Sequence, residues 1–149
     1  MRTRGFEIAL GYEGESINLP KRATLYSAGY DIASAISTEI KPNEMKLIPT
    51  GLKAYMLKDE ILKIYIRSSL AVKKGAMLAN NVGIIDSDYY GNVKNDGHIL
   101  VPIYNFSNKV FIINKDEKIA QGIFEKYLTT DIDKPNKDLR VGGFGSSNK

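Results

Sequence analysis

The chain predicts an all-β fold, a sandwich or a barrel. Two observations carry that expectation. Side chains alternate through Ile61 to Arg67, with Leu62, Ile64 and Ile66 on one face and Lys63, Tyr65 and Arg67 on the other. Glycine, asparagine and proline break the chain at short intervals, which favours strands and turns over βαβ units. The 149 residues suit one domain with a real core, and 43% hydrophobic with 26% charged residues is an ordinary globular balance.

The elements follow in order. Ala28 to Ala35 reads as a turn entering a strand, with Asp31 a turn carboxylate. After the strand at Ile61 comes the one helix expected, Ser68 to Lys74. Ser68 is placed to cap it, Gly75 to stop it, and Lys73 and Lys74 fall in its last turn. Asn80 to Asp86 reads as a buried strand ending in a carboxylate. Ile99 to Tyr104 and Val110 to Ile113 are further β-rich runs. Pro102 cannot donate to a ladder, so it is expected at an edge or a bulge. Lys115 to Phe124 reads as a charged hairpin leading into a core strand. From Thr129 the chain turns polar, with Pro135 and then Gly142, Gly143 and Gly145 around a single Phe144. The expected division is a β-domain over 1–128 and a mobile arm over 129–149, either a bland terminus or a closing lid.

Net charge is +4, but the basic clusters are only doublets, Lys21-Arg22 and Lys73-Lys74, so no nucleic-acid partner is expected. No run of about 18 apolar residues predicts a spanning helix, and no membrane partner is expected. Met1-Arg2-Thr3-Arg4 leads into Gly5-Phe6-Glu7-Ile8, not into a long apolar stretch, so no signal peptide is expected. Cysteine is absent, which rules out disulfides and thiolate metal sites; cytoplasmic location is the plain expectation. His98 is the single histidine, so a histidine triad or multi-histidine zinc site is excluded, and a strand face with a structural hydrogen bond is expected for it.

Several blocks carry residue types that nucleotide chemistry uses. Arg67-Ser68-Ser69 is either an anion site or a capped helix whose arginine pairs with a surface carboxylate. In Asn80-Asn81-Val82-Gly83-Ile84-Ile85-Asp86, a buried asparagine must satisfy a donor and an acceptor, which the edge of a base such as uracil offers. Asp86 could orient and deprotonate a water, and the Tyr89 ring could stack under a sugar. The bland alternative makes Asn80 a bulge filler, Asp86 a turn former and Tyr89 core. The glycine-rich tail Arg140 to Ser147 lacks the G-K-[ST] of a Walker loop.

Ala28-Gly29-Tyr30-Asp31, Arg67-Ser68-Ser69-Leu70-Ala71, Gly83 to Tyr89, Lys118-Ile119-Ala120-Gln121 and Arg140 to Ser147, in this order and spacing, resemble the trimeric dUTPase family over nearly the whole chain. The resemblance implies a distorted jelly-roll-like β-barrel with one short helix and a mobile C-terminal arm. It also implies a homotrimer with interfacial sites that splits dUTP into dUMP and pyrophosphate with Mg²⁺. Asp86 would activate water for attack on the α-phosphorus, and Asp31 would support the hydrated Mg²⁺ from its outer shell. Arg67, Ser68, Ser69 and Gln121 would contact the phosphates. Asn80 and the backbone of Gly83, Ile84 and Ile85 would admit uracil, while Tyr89 would block a ribose 2′-hydroxyl. Arg140, Phe144, Gly145, Ser146 and Ser147 would close a neighbouring subunit's site. Ile66, Tyr90, Asp116, Lys118 and Ser147 stand where proline, arginine, glycine, arginine and threonine are common in that family. The related dCTP deaminases carry a catalytic glutamate three residues before an asparagine; aligned on Asn105, that position is Pro102. A nucleotide-binding signalling protein without catalysis is the second alternative.

Overall fold

A computed structural model describes residues 1–135 and 140–148; residues 136–139 and 149 of the expected arm lie outside the described residues. Strands dominate, and every ladder is antiparallel. β1 (Gly5–Ile8) pairs with β6 (Leu52–Tyr55), and β4 (Thr38–Ile40) with β11 (Phe111–Ile113). β10 (Leu100–Asn105) lies between β5 (Met45–Pro49) and β8 (Ala76–Leu78). The largest sheet runs β2 (Lys21–Arg22), β3 (Tyr30–Ala33), β12 (Lys118–Lys126), β7 (Glu60–Ile66), β9 (Gly83–Asp86). The sheets wrap one core in a distorted jelly-roll-like arrangement, as expected. Leu62 and Ile64 of β7 are buried in it with Ile32, Ile103 and Ile119, each such side chain contributing about 1.5–3 kcal/mol. Among the described residues no helix is long and apolar enough to cross a membrane.

Among the described residues the one α-helix, α1, spans Ser68–Lys74 and stops at a left-handed Gly75 (φ 70°). Its cap is Arg67, not Ser68 as expected. The Arg67 N–H donates to the Ile119 carbonyl (3.1 Å), which holds Arg67 extended, so Ser68 is already the first helical residue. Two short 3₁₀ turns, Ser87–Tyr89 and Ser146–Asn148, add to it.

Three other expectations are corrected. Pro102 sits mid-strand in β10, between two partners. Its carbonyl accepts from the Ala79 N–H (2.8 Å), so its nitrogen faces the same side, one residue past the end of β8, and its missing N–H forfeits only the reciprocal bond of that last pair. Asn80 and Asn81 do not extend the strand; they turn the chain between β8 and β9, with Asn81 at φ 62° and its N–H on the Leu78 carbonyl (3.0 Å). His98 precedes β10 and is not on a strand face, but its structural hydrogen bond exists: Nε2 accepts from the Gly51 N–H (3.0 Å).

Asn105, fully buried, replaces backbone pairing where β10 ends. Its Nδ2 donates to the carbonyls of Ile40 and Lys109 (both 2.8 Å), and its Oδ1 accepts from the Ser107 N–H (2.9 Å) and Oγ (2.7 Å). Asn105→Leu therefore leaves these buried groups unpaired and is expected to cost about 2–4 kcal/mol in urea unfolding; a change under about 0.5 kcal/mol would contradict that role.

Candidate active site

The turn from β8 into β9, with β9 itself, forms one wall of a cavity of about 350 Å³. Ile64, Leu78, Leu100 and Pro102 make its apolar side, and Asn80, Gly83, Ile84, Ile85 and Asp86 its polar-edged side. Ile84 is 51% exposed along this wall, so β9 is not the buried strand expected from sequence; the apolar run faces a cavity. Arg140, Gly143, Phe144 and Gly145 line the same cavity, so the arm lies over the β9 wall of its own chain.

Asp86 ends β9 and caps the 3₁₀ turn that places Tyr89 beside it. The Arg140 guanidinium bridges two carboxylates: Nη2 lies 2.5 Å from Asp86 Oδ2 and Nε 3.2 Å from Asp88 Oδ1. Tyr89 is buried. Its hydroxyl donates to the His98 carbonyl (2.7 Å) and accepts from Asn95 Nδ2 (2.9 Å), and burial pushes the phenol pKa up. Gly143 packs on the ring; a Cβ there would lie 3.1 Å from Tyr89 Cε2. Sequence reasoning missed Asp88, Asn92 and Asn95. The only signal was the density of Asn, Asp and Gly over residues 91–97.

A second cluster gathers at the other end of β7. Gln121 stands opposite Asp31 on β3 and opposite Tyr65 on β7. Asp31, 10% exposed at its side chain, lies between Arg67 Nε (3.5 Å from Oδ1) and Lys118 Nζ (3.4 Å from Oδ2). Neither cation meets it in hydrogen-bonding geometry, and the buried Oδ2 has no hydrogen-bond partner. A side chain at Gly29 would meet Gln121 Oε1 and have to displace the Gln121 amide. Arg67 and Ser69 line a shallow groove with Lys73, Lys74 and Lys118, and Ser68 is exposed at its edge of the helix. Of the two readings of Arg67, the carboxylate pair is present, but its partner is a mostly buried Asp31 and not a surface group.

The two clusters share no lining residue. Asp86 pairs with Ile61 and Gln121 with Tyr65, on opposite edges of β7. Four residues along the strand and two strand spacings across separate their backbones by roughly 13 Å and roughly 10 Å. Within one chain they cannot close on one phosphorus. Ser146 and Ser147 of the arm are not brought into the β9 cavity either; Ser146 Oγ is buried with no hydrogen-bond partner among the described residues, and Ser147 is exposed.

A base-sized cavity edged by a carboxylate, with a separate cationic cluster on the same sheet, defines a β-protein equipped to handle nucleotides. The dUTPase family model matches residues 15–148. The deoxyuridine 5′-triphosphate nucleotidohydrolase of Lactococcus lactis is 49% identical over 99% of both chains. A dUTPase crystal structure from Streptococcus mutans superposes with a TM-score of 0.80 at 43% identity, covering 85% of this chain and 98% of that one. The fold extends to a dUTPase from phage phi11 of S. aureus, in a variant that reveals coordination of a structural Mg(II) ion. There the TM-score is 0.73 at 18% identity, over 92% of this chain and 99% of that one. The chain belongs to the dUTPase family.

His98 supports Tyr89 through its carbonyl while its own ring, tilted 4.8 Å from Tyr12, stays neutral to accept from Gly51. Burial lowers its pKa from the ordinary 6.5. The unfolded chain therefore takes up this proton first as pH falls, so the contribution is present above about pH 6.5 and lost below it. The melting temperature is expected to drop between pH 7 and pH 5, with His98→Gln flattening that slope; an unaltered slope in the variant would count against the assignment.

Proposed function

We propose that this protein hydrolyses dUTP to dUMP and pyrophosphate, keeping uracil out of DNA, as a cytoplasmic homotrimer with its sites between subunits. The observation that carries the reading is Asp86 at the edge of the base-sized cavity with Tyr89 beside it. Uracil enters along β9, recognised by Asn80 and by the backbone of Gly83, Ile84 and Ile85, and Phe144 covers it. The Tyr89 ring lies under the deoxyribose, where a 2′-hydroxyl would clash. Asp86 takes a proton from a water as the water attacks the α-phosphorus in line. The bond to the bridging oxygen breaks, and pyrophosphate leaves.

Charge that builds on the phosphates is offset by Arg67, Ser68, Ser69, Gln121 and Arg140, with Ser146 and Ser147 of the arm at the terminal phosphate. The triphosphate competes with Asp86 and Asp88 for the Arg140 guanidinium, which frees Asp86 to act as base. Magnesium fits the clasp: the unpartnered Asp31 Oδ2 suits a water of a hydrated ion whose other ligands are phosphates. When bound, it would neutralise phosphate charge and orient the chain of phosphorus atoms. The separation of the β9 cavity and the clasp within one chain supports a site shared between subunits. Identical subunits present identical cavities, so the arm's contacts to Asp86, Asp88 and Tyr89 are equally available on a neighbour. Pro102 in the cavity wall has no acid–base function, which weighs against deamination.

Asp86→Asn is expected to lower pyrophosphate release from dUTP by about 10²–10⁴-fold while dUTP affinity persists; near-normal turnover would refute the base assignment. Deleting residues 140–149 should cut kcat/KM far more than it alters stability, with the melting temperature moving less than about 3 °C. A large melting loss would instead make the arm structural.

A further inference from the structure

The loop from Gly91 to Gly97 holds the Tyr89 side chain by its hydroxyl. That hydroxyl has one proton, given to the His98 carbonyl (2.7 Å), and a lone pair that receives Asn95 Nδ2–H (2.9 Å). Two bonds from different directions fix the depth and rotation of the ring. The orientation of the Asn95 amide is itself determined. The Gly97 N–H can only donate, and it points at Asn95 Oδ1 (3.1 Å); Asn92 Nδ2 donates to the same oxygen (2.7 Å). Nδ2 is thereby left for Tyr89.

The rest of the loop is built around this arrangement. Buried Asn92 also donates to the Tyr89 carbonyl (2.8 Å), and its Oδ1 accepts from the backbone N–H groups of Lys94 and Asn95. Gly97 (φ 85°) passes so close that a Cβ would lie 2.8 Å from the Tyr89 carbonyl oxygen. Asp96 anchors the loop to the barrel through Lys53 Nζ (2.7 Å) and the Leu10 N–H (2.9 Å).

We propose that Asn95 is a positioning residue for sugar selection, tethering the Tyr89 hydroxyl so that the ring cannot recede to admit a ribonucleotide. The inference rests on the reading above that this ring meets the sugar. A steric filter rejects a 2′-hydroxyl only as far as its wall is rigid. Asn95 never touches the nucleotide; it acts through Tyr89.

Asn95→Asp separates this role from a merely structural one. The variant is isosteric and keeps the oxygen that Asn92 and Gly97 bond. It loses the one donor to Tyr89, whose single proton cannot serve both the introduced carboxylate and the His98 carbonyl. Tyr89→Phe removes this tether from the other side, together with the bond to the His98 carbonyl. The measurement is kcat/KM for dUTP and for UTP by pyrophosphate release, on the full chain, with Tyr89→Ala beside these two. Each tether variant is expected to lower the dUTP-to-UTP ratio by roughly tenfold, the worth of about one net hydrogen bond. For Asn95→Asp the loss should come through faster UTP turnover, with kcat for dUTP within roughly threefold, and the double variant should lose no more than Tyr89→Phe alone. If Tyr89→Ala loses selectivity while Asn95→Asp and Tyr89→Phe keep it, the tether is irrelevant and the inference falls alone. If Tyr89→Ala keeps it, the ring does not meet the sugar, and the underlying reading falls as well. Should Asn95→Asp fail to fold, Tyr89→Phe decides by the same ratio.

Discussion

The double-sided pairing of β7 is the constraint on which the site depends. Leu62 and Ile64 are buried on one face, so a one-residue slip would drive Lys63 and Tyr65 into the core. The register is therefore locked on both edges at once. One edge fixes β9 and hence the position of Asp86 opposite Ile61; the other fixes β12 and hence Gln121 opposite Tyr65. The same ladder reaches Arg67 through the Ile119 carbonyl and decides where α1 begins. Catalytic candidates on loops and strand ends inherit their precision from apolar packing several residues away.

Where strands stop, asparagine side chains take over from the ladder. Asn105 closes the end of β10, and Asn92 and Asn95 close the turn that carries Tyr89. Each presents a donor and an acceptor on a short, stiff stem, so one side chain satisfies two or more backbone groups that would otherwise be orphaned. The cost of leaving such groups unpaired in a dry interior makes these loops specific.

The period-two pattern made β7 legible in the sequence, and the limits of α1 followed from the glycine and lysines at its end. Asp31, Arg67, Asp86 and Tyr89 were singled out by the family resemblance that the five blocks carry in their order and spacing. What escaped was set by conformation or by distant partners. Pro102 is tolerated mid-strand only because β8 ends at Leu78, and no local rule could say so. Asn81 takes a left-handed turn that a strand-like composition concealed. Tyr90 donates to Glu7 Oε2 (2.6 Å) on β1, and that bond holds the Glu7 carboxyl below its usual pKa. A contact across 83 residues leaves no trace in composition.

The bridge from Arg140 to Asp86 and Asp88 gives the arm a meaning beyond coverage. Two carboxylates two residues apart make the mouth of the cavity repulsive to any polyanion, and a single guanidinium offsets half of that charge. The arm is thus a tethered counter-ion. Its position sets the strength of the field an approaching ligand meets, so docking the arm and admitting an anion are electrostatically one event, sensitive to ionic strength in a way that a steric cover would not be.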